Sequence, residues 1–167
     1  MLKQLAGKPM NIDEDVYLAE TSVIVGDVTL RSQCSIWYGA VLRGDCGMII
    51  IGSRSNIQDQ VTVHETTIVG HDVTVGHNAI LHGCTIEPYC LIGMHSTVLD
   101  HAVIGEGSIV AAGCLVTRGM IVPPGSVVMG VPGKIVGKVP PDFKAQIKSA
   151  AEEYLSLAEE QLEKAGQ

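Results

Sequence analysis

The stretch VLDHAVIGEGSIVAAGCLV, residues 98–116, has an aliphatic residue at every sixth position. The same period extends over most of the chain, and no position in the series is polar: Leu18, Ile24, Leu30, Ile36, Leu42, Ile51, Ile57, Val63, Val69, Val75, Leu81, Ile86, Ile92, Val98, Ile104, Val110, Val116 and Val122. Six residues suffice for one short strand and a corner, and three such strands close one coil of a parallel β-helix. The period therefore predicts an all-β fold, a parallel β-helix whose repeats span about residues 18–126.

The period slips at two places, by three additional residues at 46–48 and by one missing residue between Leu81 and Ile86. Four residues after each aliphatic position there is usually a small or slender side chain. Four cysteines share that position: Cys34, Cys46, Cys90 and Cys114. We expect these cysteines to be small packing residues of a narrow core and not nucleophiles.

Composition and charge limit the classes of function. The 167 residues are 46% hydrophobic and 17% charged, which is enough for one well-buried domain with an appendage. The formal net charge of -7 and the lack of a basic patch argue against a nucleic-acid or membrane partner. An odd number of cysteines, no C-x-x-C spacing and no long apolar run predict a protein of the reducing cytoplasm.

The pattern changes after the repeats. Two Pro-Pro pairs flank an irregular connector, and apolar residues then recur at helical spacing: Phe143, Ile147, Ala151, Tyr154, Ala158 and Leu162. Asp142 is suited to cap the start of this helix. We predict a β-helix with an end loop over residues 1–140 and an amphipathic helix over residues 141–167 that packs on it.

Two histidines share one face of the predicted coil. Counting six-residue repeats places His64 and His82 at the same position of that face, 18 residues or one coil apart. Adjacent coils are separated by about 4.8 Å, so both imidazoles can reach one metal ion. His77 falls on another face, around a corner, but a neighbouring chain in a threefold assembly can supply it. Three histidines with an open fourth position are typical of a catalytic zinc site.

Other polar residues cluster by the same count. Arg43 has the position of His64 one coil earlier, and Asp45 follows it closely. Gln58 lies on the face of His77, one coil earlier. A guanidinium, a carboxylate and an amide are suited to orient metal ligands and to join subunits. The remaining histidines are expected to be surface or structural residues: His71, His95 and His101.

Motifs at these positions resemble those of the γ-class carbonic anhydrases: LRGD at 42–45, NIQDQVTVH at 56–64, VGHNAILHG at 75–83 and LIGM at 91–94. Repeats such as IGEGSI (104–109) and VGHDVT (69–74) resemble the hexapeptide-repeat proteins, to which that class belongs. The resemblance implies a left-handed β-helix and a homotrimer with a metal ion at each subunit interface. It also implies zinc, or alternatively Fe2+ or Co2+, and the reversible hydration of CO2 to bicarbonate by hydroxide generated at the metal.

The resemblance assigns a role to each site residue. His64 and His82 would be metal ligands from one subunit, and His77 would be the third ligand, from the next subunit. The other roles fall to a pair that joins subunits, a residue that hydrogen-bonds the water at the metal, and a helix tyrosine that points to the site: Arg43 with Asp45, Gln58, and Tyr154.

Two departures from that class leave other functions open. The acidic loop that its best-known members carry after the first ligand is missing from HETTIVGH (64–71), and Cys46 stands where they have a glutamate. One alternative is an acyltransferase or thioesterase acting on CoA esters, which related hexapeptide proteins are. The other alternative is a metal-binding scaffold without catalytic activity.

Overall fold

A computed structural model describes the chain over residues 1–165. It contains twenty strands and one helix: β1 (Leu2–Lys3), β2 (Met10–Ile12), β3 (Tyr17–Leu18), β4 (Val23–Leu30), β5 (Ser35–Ile36), β6 (Val41–Ile51), β7 (Asn56–Ile57), β8 (Thr62–His64), β9 (Thr67–Val69), β10 (Thr74–Val75), β11 (Ile80–His82), β12 (Thr85–Ile86), β13 (Leu91–Ile92), β14 (Thr97–Val98), β15 (Val103–Ile104), β16 (Ile109–Val110), β17 (Leu115–Val116), β18 (Ile121–Val122), β19 (Ser126–Met129), β20 (Lys134–Lys138) and α1 (Pro141–Ala165). Most strands have two or three residues, as a six-residue repeat requires.

The strands stack into three faces, and within each face neighbouring coils pair in parallel. Face 1 consists of the first halves of β4 and β6 followed by β8, β11, β14 and β17. Face 2 consists of β3, β5, β7, β10, β13, β16 and β19, and the antiparallel β20 ends it. Face 3 consists of the second halves of β4 and β6 followed by β9, β12, β15 and β18. The predicted fold class, a left-handed parallel β-helix of hexapeptide repeats with a C-terminal helix, is confirmed.

The strand register follows the six-residue period, including its slips. Successive partners on face 1 are Leu42, Val63, Leu81, Val98 and Val116. The inward side chains from all three faces form one continuous core, in which most of the aliphatic positions are fully buried. Because each inward residue packs on its equivalents one coil above and below, a single aliphatic series fills the whole interior.

The additional residues 46–48 lie within the long strand β6. This strand pairs with β8 through Arg43 and with β9 from Ile49 onward, so the residues between them form a short arm outside the regular register. Cys46 lies on that arm and is exposed, which corrects the expectation that it fills the core. The other three cysteines expected in the core are buried there: Cys34, Cys90 and Cys114.

Helix α1 covers face 2. It contacts β3, β5, β7 and β10, and it buries Ile147, Ala151 and Ala158. Phe143 and Leu162 were expected on the same buried side but are 41% and 38% exposed, because they lie near the two ends of the helix, beyond its main contacts. Within the described residues, no helix combines the length and the apolar composition that are needed to cross a membrane. The division into domains 1–140 and 141–167 stays a prediction, and residues 166–167 lie outside the described residues.

Two isoleucines on different strands, one directed into the core and one directed outward, test how far the fold depends on the inward series. Ile92 is fully buried, whereas Ile68 points outward from face 3 and is 37% exposed. We expect Ile92→Ala to lower the free energy of unfolding by about 2–5 kcal/mol because it leaves a cavity in the core. Ile68→Ala should cost about 1 kcal/mol or less. Urea unfolding at one fixed protein concentration measures both, and equal losses would contradict the assignment of a single inward series.

Candidate metal centre

Two histidines face each other at the end of face 1. His64 ends β8 and His82 ends β11, and the parallel register places them side by side. Nδ1 of His64 lies 3.3 Å from Nε2 of His82, with the ring centroids 5.2 Å apart. Two nitrogens bound to one tetrahedral zinc ion at roughly 2.0–2.1 Å would be separated by about the same distance. The two imidazoles are therefore spaced as ligands of one ion.

Carboxylates hold the other nitrogen of each imidazole. Nε2 of His64 lies 3.2 Å from Oδ1 of Asp45, and Nδ1 of His82 lies 3.1 Å from Oδ1 of Asp100. Each of these nitrogens donates its N–H to the carboxylate, so in the neutral rings the two facing nitrogens both carry lone pairs. Two lone pairs at this distance repel each other unless a cation lies between them. The donor set therefore fits a metal ion.

Asp45 is an ionised acceptor on the short arm of β6. Nη1 of Arg43 donates to Asp45 at 2.6 Å, and this hydrogen bond, together with that from His64, lowers the pKa of Asp45 to about 2. Arg43 and Asp45 form this ion pair within one chain. Gly44 between them packs so closely on the backbone of Asp27 that a Cβ would collide with it. The arm is thus held in place next to His64.

Asp100 is a site residue that the sequence analysis missed. Partial desolvation opposes its ionisation, but hydrogen bonds from its own backbone N–H and from His82 outweigh that effect and lower the pKa of Asp100. It lies 18 residues after His82, one coil further along the chain. That spacing was the available signal, because the same interval separates His64 from His82.

Cys46 lies on the short arm, beside His64 and Asp45. Its sulfur and donor atoms of Asp45 and His64 all lie within 4.8 Å of one another. The negative charge of Asp45 is the main factor that raises the pKa of the Cys46 thiol, with smaller effects from desolvation and Glu65. A raised pKa disfavours the thiolate form that metals bind.

His77 lies at a different corner, after face 2. Its Nδ1 lies 2.7 Å from Oδ2 of Asp59, and its Nε2 lies 3.5 Å from the hydroxyl of Tyr154 on helix α1. The ring of Tyr154 packs edge-on against Trp37 at 5.2 Å between centroids. Burial raises the pKa of Tyr154, with smaller effects from the charges of Asp59 and Glu153, so its hydroxyl remains neutral. Since Asp59 accepts the N–H of Nδ1, the lone pair of the neutral His77 ring lies on Nε2, which faces the hydroxyl of Tyr154.

Gln58 belongs to the same face as His77. It is buried, and its Nε2 donates to Oδ1 of Asn56 at 3.1 Å, while Nδ2 of Asn56 donates to Oγ1 of Thr74 at 3.0 Å. Its backbone N–H donates to the carbonyl of Val75 in the next coil. These bonds fix the side-chain amide of Gln58 within face 2.

One chain thus carries two separate sets of these residues. The first set is named half-site 1, after face 1, and consists of Arg43, Asp45, His64, His82 and Asp100. We name the second half-site 2, after face 2, and it consists of Gln58, Asp59, His77 and Tyr154. Among the described residues, the groups whose metal-binding atoms lie close together include His64 and His82 but not His77. The structure therefore brings together the first two predicted ligands and leaves the third at another corner.

Known proteins are similar in sequence to this chain over nearly its whole length. The family model described as bacterial transferase hexapeptide (six repeats) matches residues 83–118. A Methanocaldococcus jannaschii protein named "Probable carbonic anhydrase" is 49% identical over 152 residues, covering 89% of this chain and 96% of that protein. The mitochondrial gamma carbonic anhydrase 3 of Arabidopsis thaliana is 45% identical over 168 residues, covering 95% of this chain and 65% of that protein.

A solved structure shows the same fold. The crystal structure of a Bacillus cereus protein, named as a candidate acetyltransferase, superimposes with a TM-score of 0.92 at 36% identity and covers 99% of this chain and 97% of that one. The similarity to carbonic anhydrases extends through most of the chain. The chain belongs to the γ-class carbonic anhydrase family of hexapeptide-repeat proteins.

Proposed function

We propose that the chain forms a homotrimer that binds one zinc ion at each subunit interface and catalyses the reversible hydration of CO2 to bicarbonate. The observation that carries this proposal is the pair of facing nitrogens in half-site 1, 3.3 Å apart, each on a ring whose other nitrogen is held by a carboxylate. Membership of the family supports the reaction, and the separate position of half-site 2 supports the trimer.

In the proposed assembly, half-site 1 of one subunit meets half-site 2 of the next. His64 and His82 would hold the ion from one side, and His77 of the neighbouring copy would hold it from the other. Three neutral imidazoles suit zinc first, with Fe2+ and Co2+ as alternatives. When bound, such an ion lowers the pKa of a coordinated water toward about 7 and so makes hydroxide available at neutral pH.

The other residues would orient these groups. Asp45 and Asp100 fix the tautomers and ring positions of His64 and His82, which keeps the lone pairs directed at the ion. We propose that Gln58, whose amide is fixed by Asn56, orients the reacting water by a hydrogen bond. Tyr154 reaches Nε2 of His77 and would keep that ring in place before assembly. Arg43 would keep Asp45 ionised beside the interface.

All five cysteines are free thiols. Free thiols persist where glutathione and thioredoxin keep them reduced. We therefore propose the cytoplasm as the compartment.

Acyl transfer from CoA esters is the second candidate function, because the Bacillus cereus relative is named as a candidate acetyltransferase. The reaction would need CoA binding, whereas the hydration of CO2 needs only the metal site. Isothermal titration with acetyl-CoA separates these candidates from each other. Binding of acetyl-CoA by the metal-free trimer would favour transfer.

The first prediction concerns the ligands of half-site 1. His82→Ala removes one of the two nitrogens that the carboxylates direct toward the ion. We therefore expect the variant to lose its bound zinc and its rate of CO2 hydration to fall by about a hundredfold or more. Metal analysis and stopped-flow hydration with a pH indicator measure these effects. His71→Ala is the matched control, since His71 pairs with Asp72 at another corner. Equal hydration rates in His82→Ala and the wild type would exclude the proposed reaction.

A second prediction tests whether each site is shared between subunits. His77→Ala and His82→Ala trimers should each bind no zinc. After the two chains are unfolded together in equal amounts and refolded, random trimers should regain about a quarter of the wild-type zinc, because one interface in four pairs an intact half-site 1 with an intact half-site 2. A site formed within one chain would regain none.

A third prediction concerns Asp100. Asp100→Asn keeps the size of the side chain but removes the charged acceptor for His82, so we expect zinc affinity to fall roughly 10–100-fold. Competition with a fluorescent zinc chelator gives the affinity. Glu106→Gln removes one negative charge at the corner after face 3 and is the control, since Glu106 is exposed there. If both variants lose affinity equally, the effect is one of overall charge and not of the hydrogen bond to His82.

A further inference from the structure

We propose that Glu65 is a fourth protein ligand, which closes the coordination sphere of the metal ion in half-site 1 and leaves it only when substrate enters. This inference rests on the metal binding proposed above. Glu65 directly follows His64, at the corner between β8 and β9. It is half-buried, as are both histidines of half-site 1.

The positions of the three side chains support a shared ion. One carboxylate oxygen of Glu65 and one nitrogen each of His64 and His82 all lie within 4.8 Å of one another. For three atoms so spaced, a point exists that is no more than about 2.8 Å from each, compared with usual zinc–ligand distances of roughly 2.0–2.2 Å. A side-chain adjustment of less than about 1 Å would bring all three atoms to bonding distance.

The backbone of this corner is fixed on both sides. Glu65 has a φ of 58° in the left-handed region, which turns the chain sharply after His64. Oγ1 of Thr67 donates to the carbonyl of His64 at 2.8 Å and accepts from the N–H of Gly83 at 3.1 Å, which ties the corner to the next coil. On the other side Gly47 approaches so closely that a Cβ would meet Thr66. The backbone of Glu65 is therefore held next to the histidine pair, and its side chain alone decides whether the carboxylate reaches them.

A carboxylate ligand changes what the ion can do. Three histidines leave a fourth position open for water, whereas three histidines and a glutamate complete a tetrahedral shell. Glu65 would then compete with water and with bicarbonate for the same position. The resting site would be closed, and the position would become available when the side chain of Glu65 rotates away. Because its charge also offsets part of the metal's charge, Glu65 would strengthen metal binding.

The test uses the full-length trimer loaded with Co2+, whose visible absorption reports its ligands. We expect Glu65→Gln to weaken Co2+ binding by about tenfold or more, because an amide is a poor ligand compared with a carboxylate. Added thiocyanate should alter the spectrum of Glu65→Gln strongly and that of the wild type weakly, since only the variant has an exchangeable position at rest. Glu106→Gln is the control for loss of one negative charge.

Two outcomes separate this inference from the proposed function. If His82→Ala binds Co2+ as tightly as the wild type, half-site 1 is not a metal site, and both proposals fail. If His82→Ala loses Co2+ but Glu65→Gln keeps wild-type affinity and the wild type responds to thiocyanate as the variant does, Glu65 is not a ligand and the proposed function stands. Should Glu65→Gln fail to fold, Glu65→Asp, which keeps the charge and shortens the reach, is measured with the same expectation.

Discussion

The parallel register between successive coils is the constraint on which the rest of the structure depends. Each strand of two or three residues is too short to be stable alone, and it is held by hydrogen bonds to the equivalent strands above and below and by the stacked aliphatic core. Because the register is parallel and unshifted on face 1, equivalent residues of adjacent coils lie side by side. His64 and His82 meet for that reason alone, without any dedicated loop.

The sequence was sufficient to predict this register, because an aliphatic series with no polar position, followed across its two slips, determines which residues of adjacent coils are equivalent. The pairing of His64 with His82 and the separation of His77 followed from the same count. The contact of Asp100 with His82 could not be predicted from the sequence, because an acidic residue at a corner is ordinarily solvent-exposed. The hydrogen bond between them depends on side-chain geometry. Cys46 was misplaced because the three additional residues shift it out of the repeat phase, and periodicity does not describe residues outside the period.

The two half-sites differ in what surrounds them. Half-site 1 lies on strands except for Asp100, which lies at a corner. Its carboxylates orient both histidines, and Arg43 supports one of those carboxylates. Half-site 2 depends in part on helix α1, since Tyr154 reaches His77 from the helix while its ring packs on Trp37. The helix therefore does more than cover face 2, because it links the packing of that face to the position of a proposed ligand. A change in the helix would affect the proposed site through His77, whereas a change in the register of the coils would affect it through His64 and His82.

Each histidine of the two half-sites already has a partner within its own chain. His77 contacts Asp59 and Tyr154, and His64 and His82 contact Asp45 and Asp100. A folding chain therefore has its imidazoles positioned by its own side chains, and the coils do not depend on an ion to form their core. Folding and metal loading can then be separate events in time. Under the proposed function, the ion that fills each site is selected by what the surrounding compartment offers at the moment of loading, because three imidazoles by themselves do not discriminate sharply among divalent transition metals.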